Sequence, residues 1–340
     1  MSPELSDTLS RSLQDLRISV TDRCNFRCPY CMPAEILGER YSFLPKSEIL
    51  SFEEITRLVR IFVRLGVRKI RLTGGEPLLR QNIEALVSAL AGLDDLDDLA
   101  LTTNGYLLPE KAAMLREAGL KRITVSLDSL DEEAYRQLNG RDHGPEQVLE
   151  AIREAERVGF HPIKINAVVQ KGVNDHTIVD LARYFHGTGH VLRFIEFMDV
   201  GNQNRWDLSQ VTPAEEILDT VNAAIPLEPL PSNYPGEVAT RFRYLDGGGE
   251  IGVIASVTRP FCGGCTRIRI STDGKAYTCL FGSEGTDLRG PLRDGANDRQ
   301  LTETVSGLWM QRADRYSELR AEGTSGLGGP PKIEMYRIGG

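Results

Sequence analysis

The chain has 340 residues, which at about 150 per domain allows two modest domains or one α/β barrel with an appendage. Hydrophobic residues make up 41% of it, enough for a real core, so global disorder is excluded. Forty Lys and Arg stand against 48 Asp and Glu, a formal net charge of −8. That is the wrong sign for a bulk nucleic-acid binder, so any anion site has to be built locally.

No apolar run reaches the roughly 18 residues of a membrane span. The opening MSPELSDTLSRSLQDL lacks the basic-then-apolar pattern of a signal peptide. The expectation is a cytoplasmic protein without membrane contact, whose cysteines are reduced thiols available to metal or redox chemistry.

From 16 to 198, short β-branched segments alternate with helix-patterned ones, which predicts repeated βα units and a parallel sheet. Strands are expected over 16–20, 70–73, 99–103, 123–127, 163–167 and 192–198. A helix opens at Ser51, with Glu54 placed for a capping box, and another carries Pro145 in its first turn and Gly159 after its last. Six units are fewer than the eight of a closed barrel. The predicted fold is therefore an incomplete (β/α)6 TIM-type barrel, open on one side.

Within these strands Ile18, Ile70, Leu72, Ile123, Val125, Ile163 and Ile165 share one face. Arg17, Ser19, Arg71, Thr73, Thr124, Ser126, Lys164 and Asn166 share the other. A packed barrel fills its interior with branched apolar groups, so a polar inner face predicts a cavity for a charged ligand. A sheet with one solvated face is the alternative, a poor fit where crossovers cover the outside.

A helix opened by Thr212, Pro213 and Glu215 is followed by PLEPLPSNYP, which reads as a linker. The boundary is placed near 226, giving a barrel over 1–225 and a C-terminal domain over 226–340. The latter shows two hairpins, a helical stretch around Asp298 to Arg320, and a Gly- and Pro-rich tail.

The six cysteines form two triplets. Cys24, Cys28 and Cys31, in CNFRCPYC, follow the first strand directly. Three thiolates can hold three corners of a cubane iron–sulfur cluster and leave one iron open; a zinc site completed by a distant His, or three unrelated buried thiols, are the other readings. Cys262, Cys265 and Cys279 lie in FCGGCTRIRISTDGKAYTCLF. A two-residue turn at Asp273 and Gly274 would pair Thr272 with Lys275, place Cys279 opposite Ile268 and return the third thiol to the first two. A second open cluster or a zinc knuckle fits that spacing. Arg267 and Arg269 share a strand face between these ligands, and with Arg17 they offer three forked, charge-assisted contacts to an anion such as a nucleotide triphosphate.

CNFRCPYC, together with LTGGEP at the next strand end, resembles the radical S-adenosylmethionine (SAM) enzymes. That resemblance implies a [4Fe-4S] cluster on the first triplet, SAM on its open iron, and Tyr30, Gly75, Ser126 and Met198 around SAM. RISVTDRCNFRCPYCMP, KIRLTGGEPLLR, LTTNGYLL, SLDSLD, LRFIEFMDVGN, FCGGCTRIRIS and the terminal IGG resemble, within that superfamily, the GTP 3′,8-cyclases of molybdenum cofactor biosynthesis. This implies a second [4Fe-4S] cluster meeting the guanine, and GTP contacts from Arg17, Arg71, Thr102, Lys164 and the run Arg267, Ile268, Arg269. It implies that Gly339 and Gly340 reach the active site. It also implies abstraction of the ribose C3′ hydrogen by an adenosyl radical and attack of C3′ on guanine C8. Lys69 joins the phosphate site or lies at the surface.

The implied partners are GTP, a reducing electron donor and a downstream pterin synthase; a homodimer is compatible with them. The resemblance calls for a glycine before Trp206, where this chain has Arg205. A peptide-modifying radical SAM maturase would need more C-terminal cysteines and has no use for the arginines. An electron carrier would want closed clusters.

Overall fold

The computed structural model describes residues 5–35, 42–234, 236–323 and 331–339. Six parallel strands, β1 (Asp15–Ser19), β2 (Lys69–Thr73), β3 (Asp98–Thr103), β4 (Arg122–Ser126), β5 (Lys164–Val169) and β6 (Val191–Glu196), lie side by side in chain order. Around them run α1 (Phe52–Arg64), α2 (Ile83–Ala91), α3 (Leu108–Glu117), α4 (Glu132–Asn139), α5 (Glu146–Arg157), α6 (Ile178–Phe185) and α7 (Ala214–Ala224). The Ser51 hydroxyl accepts from the Glu54 amide while Glu54 accepts from the Ser51 amide, closing the capping box that starts α1.

The alternation read from the sequence is realised. Ile18, Ile70, Leu72, Ile123, Val125, Ile163 and Ile165 are almost fully buried in one apolar core, with Leu58, Phe62, Leu86, Leu115 and Ile152 of the surrounding helices. The opposite face lines a cavity. Both follow from the two-residue period of a strand.

The remaining strands are β7 (Leu227–Leu230), β8 (Thr240–Tyr244), β9 (Glu250–Ile254), β10 (Arg267–Ile270), β11 (Lys275–Tyr277) and β12 (Thr286–Asp287). They correct three expectations. First, β9 pairs in parallel with β6 and β10 in parallel with β1, so both edges of the six-strand barrel carry C-terminal strands. Second, the proline-rich stretch holds a strand: β7 pairs antiparallel with β8 at the end of the sheet, where Pro229 is tolerated because an edge strand needs only one row of donors.

Third, the β10–β11 hairpin pairs Ile270 with Ala276 and Arg269 with Tyr277, and the Ser271 amide bonds the Lys275 carbonyl. The loop is one residue longer than a two-residue turn, with Gly274 at φ +80 supplying the left-handed corner. Carried two residues further, this register sets Cys279 opposite Arg267, not Ile268. A one-residue shift exchanges the faces of a strand, so the thiol turns to the side of the arginines.

Beyond the hairpin come α8 (Arg289–Arg293), α9 (Asp298–Met310), α10 (Tyr316–Ala321) and α11 (Met335–Ile338). The last of these is a helical turn inside the expected tail. Arg205, where the resemblance called for glycine, takes φ +49, a left-handed conformation that favours glycine.

Candidate functional site

The first cysteine loop is held by the strand end beside it. Gly75 donates to the Thr21 carbonyl and Glu76 to the Arg23 carbonyl, both at 2.7 Å. A Cβ on Gly75 would sit 2.3 Å from the Arg23 oxygen, so only glycine lets the LTGGEP turn close on the segment leading into Cys24. Buried Glu76 accepts from the hydroxyl of Thr103 at 2.7 Å and the amide of Asn104 at 2.8 Å, and burial pushes its carboxyl up to about 7. The Tyr30 hydroxyl donates to Asp128 at 2.7 Å, tying the loop between Cys28 and Cys31 to the end of β4.

All six cysteines line one cavity of about 310 Å³, with Arg17, Tyr30, Arg71, Gly75, Thr102, Ser126, Met198, Arg267 and Arg269 on the same walls. Each cysteine is free and partly buried. Burial raises Cys24 to about 12, and burial with the neighbouring thiols also raises Cys28 and Cys31. In the second set burial also lifts Cys279, to about 11, whereas Cys265 falls to about 6 because Arg267 and Arg312 outweigh its burial. The Phe26 amide reaches the Cys24 sulfur at 3.4 Å, and Arg267 reaches that of Cys265 at 3.2 Å. Crowded, buried thiols with amide and guanidinium donors at their sulfurs fit an iron–sulfur cluster, whose metal charge makes the thiolates stable together.

The anion wall follows from strand register. Arg17 stands level with Arg71 on one side and Arg269 on the other. Burial and the charges of Arg269, Arg267 and Arg71 push the Arg17 guanidinium well below its usual range. Burial and Arg267 bring Arg269 to about 10. Arg71 donates to the hydroxyls of Thr102 at 2.8 Å and Thr124 at 3.0 Å.

Arg193 is a site residue missed in the sequence. Burial, then Arg71 and Arg122, lower it to about 9, and it donates to Asn166 at 2.7 Å. It lies on the inward-facing alternation of β6, the signal that would have found it. The buried Nε atoms of Arg193 and Arg269 have no hydrogen-bond partner among the described residues.

Three expected residues stand elsewhere. Lys164 lines a neighbouring cavity of about 430 Å³, which Arg193 joins to the first and whose lining includes Tyr234 and Glu237. Burial and Arg193 bring Lys164 to about 7. The Ile268 side chain is in the apolar core. Lys69 lies with its ammonium 3.1 Å from the centre of the Tyr234 ring. Gly339 abuts Thr73, where an added Cβ would come within 2.1 Å of that side chain; Gly340 lies outside the described residues.

A partial βα barrel whose first strand ends in a three-cysteine loop, closed by a Gly-Gly turn from the second, defines the radical SAM class. The Radical SAM superfamily profile matches residues 18–185, and the Molybdenum Cofactor Synthesis C profile matches 190–318. Among solved structures, Streptococcus suis SuiB bound to S-adenosylmethionine has the same fold at TM-score 0.62 and 15% identity, over 91% of this chain and 68% of that one.

Over the full length of both chains, this sequence is 51% identical to a GTP 3′,8-cyclase of Acidothermus cellulolyticus. Corresponding proteins of Xanthomonas campestris pv. campestris and Staphylococcus haemolyticus are 50% and 47% identical, again over the whole of each chain. The chain belongs to the GTP 3′,8-cyclase family. Its cofactors are two [4Fe-4S] clusters and SAM. Among the described residues no helix is long and apolar enough to cross a membrane.

Proposed function

We propose that this chain converts GTP to 3′,8-cyclo-7,8-dihydro-GTP, the opening step of molybdenum cofactor biosynthesis, inside the cavity that holds both cysteine sets. The observation that carries this reading is the joining of six thiols and a row of mutually repelling buried arginines in one enclosure. A polyanion relieves that repulsion, and no neutral substrate would.

Cys24, Cys28 and Cys31 hold the first cluster, and Cys262, Cys265 and Cys279 the second. When bound, the reduced first cluster and SAM would supply a 5′-deoxyadenosyl radical for the ribose C3′ hydrogen, and closure of C3′ on guanine C8 then takes one electron and one proton to give the dihydro product. The protein's own part is positional. Tyr30, Gly75, Ser126 and Met198 surround SAM. Arg17, Arg71, Thr102, Lys164, Arg267 and Arg269 grip GTP, with Arg193 bridging the two chambers.

The Ile268 side chain anchors β10 in the core and so aims Arg267 and Arg269 inward, leaving its backbone to meet the substrate. Each charge-assisted contact is worth about 1.5–3 kcal/mol, so three of them reach the scale of micromolar binding, about 8 kcal/mol. Fixing the ribose against the radical source and excluding water are tasks such a wall performs without moving a proton. Gly339, which abuts the cavity residue Thr73, is assigned to the same enclosure.

In this reading the barrel spans 1–225 and the second-cluster segment 226–340. An external reductant supplies electrons, a pterin-forming synthase consumes the product, and the setting is cytoplasmic. The test is anaerobic reconstitution followed by incubation with SAM, dithionite and GTP. GTP-dependent formation of 5′-deoxyadenosine and a cyclised nucleotide is expected; deoxyadenosine formed with no response to GTP would overturn the assignment.

A further inference from the structure

The last nine described residues, 331–339, hold only a four-residue helix, α11, far too short to form unaided. Their placement must come from contacts with the rest of the molecule, and these converge on one loop. Asp199 and Asn202 lie just beyond β6, next to Met198. The Lys332 ammonium donates to the Asp199 carboxylate at 2.7 Å and to the Asp199 carbonyl at 2.8 Å. Asn202 closes a two-way pair with the Lys332 backbone, donating at 2.6 Å and accepting at 2.9 Å, and it also donates to Glu334 at 3.0 Å.

Asp199 is braced before the tail arrives. Its carboxylate also accepts from Tyr316 at 2.5 Å and from Arg320, both on α10. Tyr316 stacks on Phe281, two residues past Cys279, with ring centroids 4.5 Å apart. The Asp199 side chain is about nine-tenths buried. A buried carboxylate fixed by two partners is a rigid socket for a third, and Lys332 joins it with little further ordering cost.

Beyond this anchor the tail touches both cysteine loops. The Ile333 amide bonds the Gly282 carbonyl at 2.8 Å, Tyr336 packs on Met32, and the Thr272 amide bonds the Arg337 carbonyl at 3.1 Å. Gly339 then meets Thr73 at the start of the Gly-Gly turn.

We infer that Asp199, through Lys332 and with Asn202 beside it, is the positioning residue that sets the depth of the C-terminal segment and holds Gly339 at the cavity wall. Asp199 touches neither cysteine set; it acts through the tail. The consequence for turnover rests on the GTP cyclase reading, whereas the placement of the tail does not.

The test uses the full chain with Lys332→Met and Asn202→Ala, which leave the contacts of Asp199 with Tyr316 and Arg320 in place, and Lys332→Arg as the conservative partner. Carboxypeptidase trimming of the anaerobically purified protein, followed by intact mass, reads tail placement without turnover. Trimming is expected to quicken at least tenfold in Lys332→Met and Asn202→Ala and to stay near wild type in Lys332→Arg. In the reconstituted enzyme the ratio of cyclised nucleotide to 5′-deoxyadenosine is expected to fall several-fold in Lys332→Met and to recover in Lys332→Arg.

Unchanged trimming in both disrupting variants would overturn the anchor. Faster trimming with an unchanged product ratio would overturn its positioning role. A wild-type enzyme that yields no cyclised nucleotide would instead refute the function, with the trimming result still standing.

Discussion

Arg193 and Lys164 show how single side chains acquire roles that their residue type does not announce. Each is a buried cation beside others, and each is pushed down because removing water and adding like charges both disfavour the protonated form. A bound triphosphate would offset both penalties with opposite charge. Arg193→Met is expected to raise the KM for GTP by about tenfold or more, the loss of one charge-assisted contact, with iron content unchanged; steady-state kinetics beside iron analysis checks it.

Lys164 is lowered to about 7 by burial and Arg193, and in the proposed function GTP would bind its charged form. GTP affinity is therefore expected to be full below pH 7 and to weaken as pH rises above it, with proton uptake on binding. Calorimetry in buffers of different ionisation enthalpy reads that uptake, and Lys164→Met should abolish it. Arg205 is a separate matter of backbone. At φ +49 it occupies a region costing a non-glycine residue about 1 kcal/mol, so Arg205→Gly is expected to be neutral or to raise Tm slightly. A loss of several degrees would show that the arginine side chain, not the corner, holds the loop before Trp206.

The β10–β11 hairpin is the element in which one residue of register decides the chemistry. Arg267 and Arg269 alternate with Ile268 and Ile270, and that much is written in RIRI. The loop from Thr272 to Gly274 sets a register that brings Cys279, just past β11, to the cavity side. Exchanging the neighbouring residues, Thr278→Cys with Cys279→Thr, keeps composition and spacing nearly intact but turns the thiol to the other face. It is expected to cost the second cluster's iron and leave the first's, a difference that iron and sulfide analysis resolves. The first cysteine loop is simpler, because its three thiols lie within eight residues of one chain, braced by the Gly-Gly turn of the next strand.

At the scale of the whole molecule, the C-terminal segment supplies both edges of the barrel. β10 covers β1 and β9 covers β6, so neither end of the six-strand array is left as an exposed ladder. Residues 1–225 expressed alone would present two bare edges and are expected to aggregate. The intact chain should unfold in a single calorimetric transition, since no sheet divides cleanly between its halves. Two well-separated endotherms would contradict this.

Much of this protein was legible in its residues. Two-residue alternation located six strands and their polar face, capping residues located α1, and cysteine spacing picked out the two triplets that line the cavity, because each of these signals is local and repeats the physics of one element. Arg193 obeyed the same alternation and could have been read with the rest. Tertiary structure alone decided what distant segments do to one another. It set the level at which Arg17, Arg71 and Arg269 stand together, the covering of both barrel edges, and the face of Cys279. It also joined Asp199 to Lys332, 133 residues apart. Register and long-range contact depend on how whole strands and helices pack, and no periodicity within a single segment encodes that.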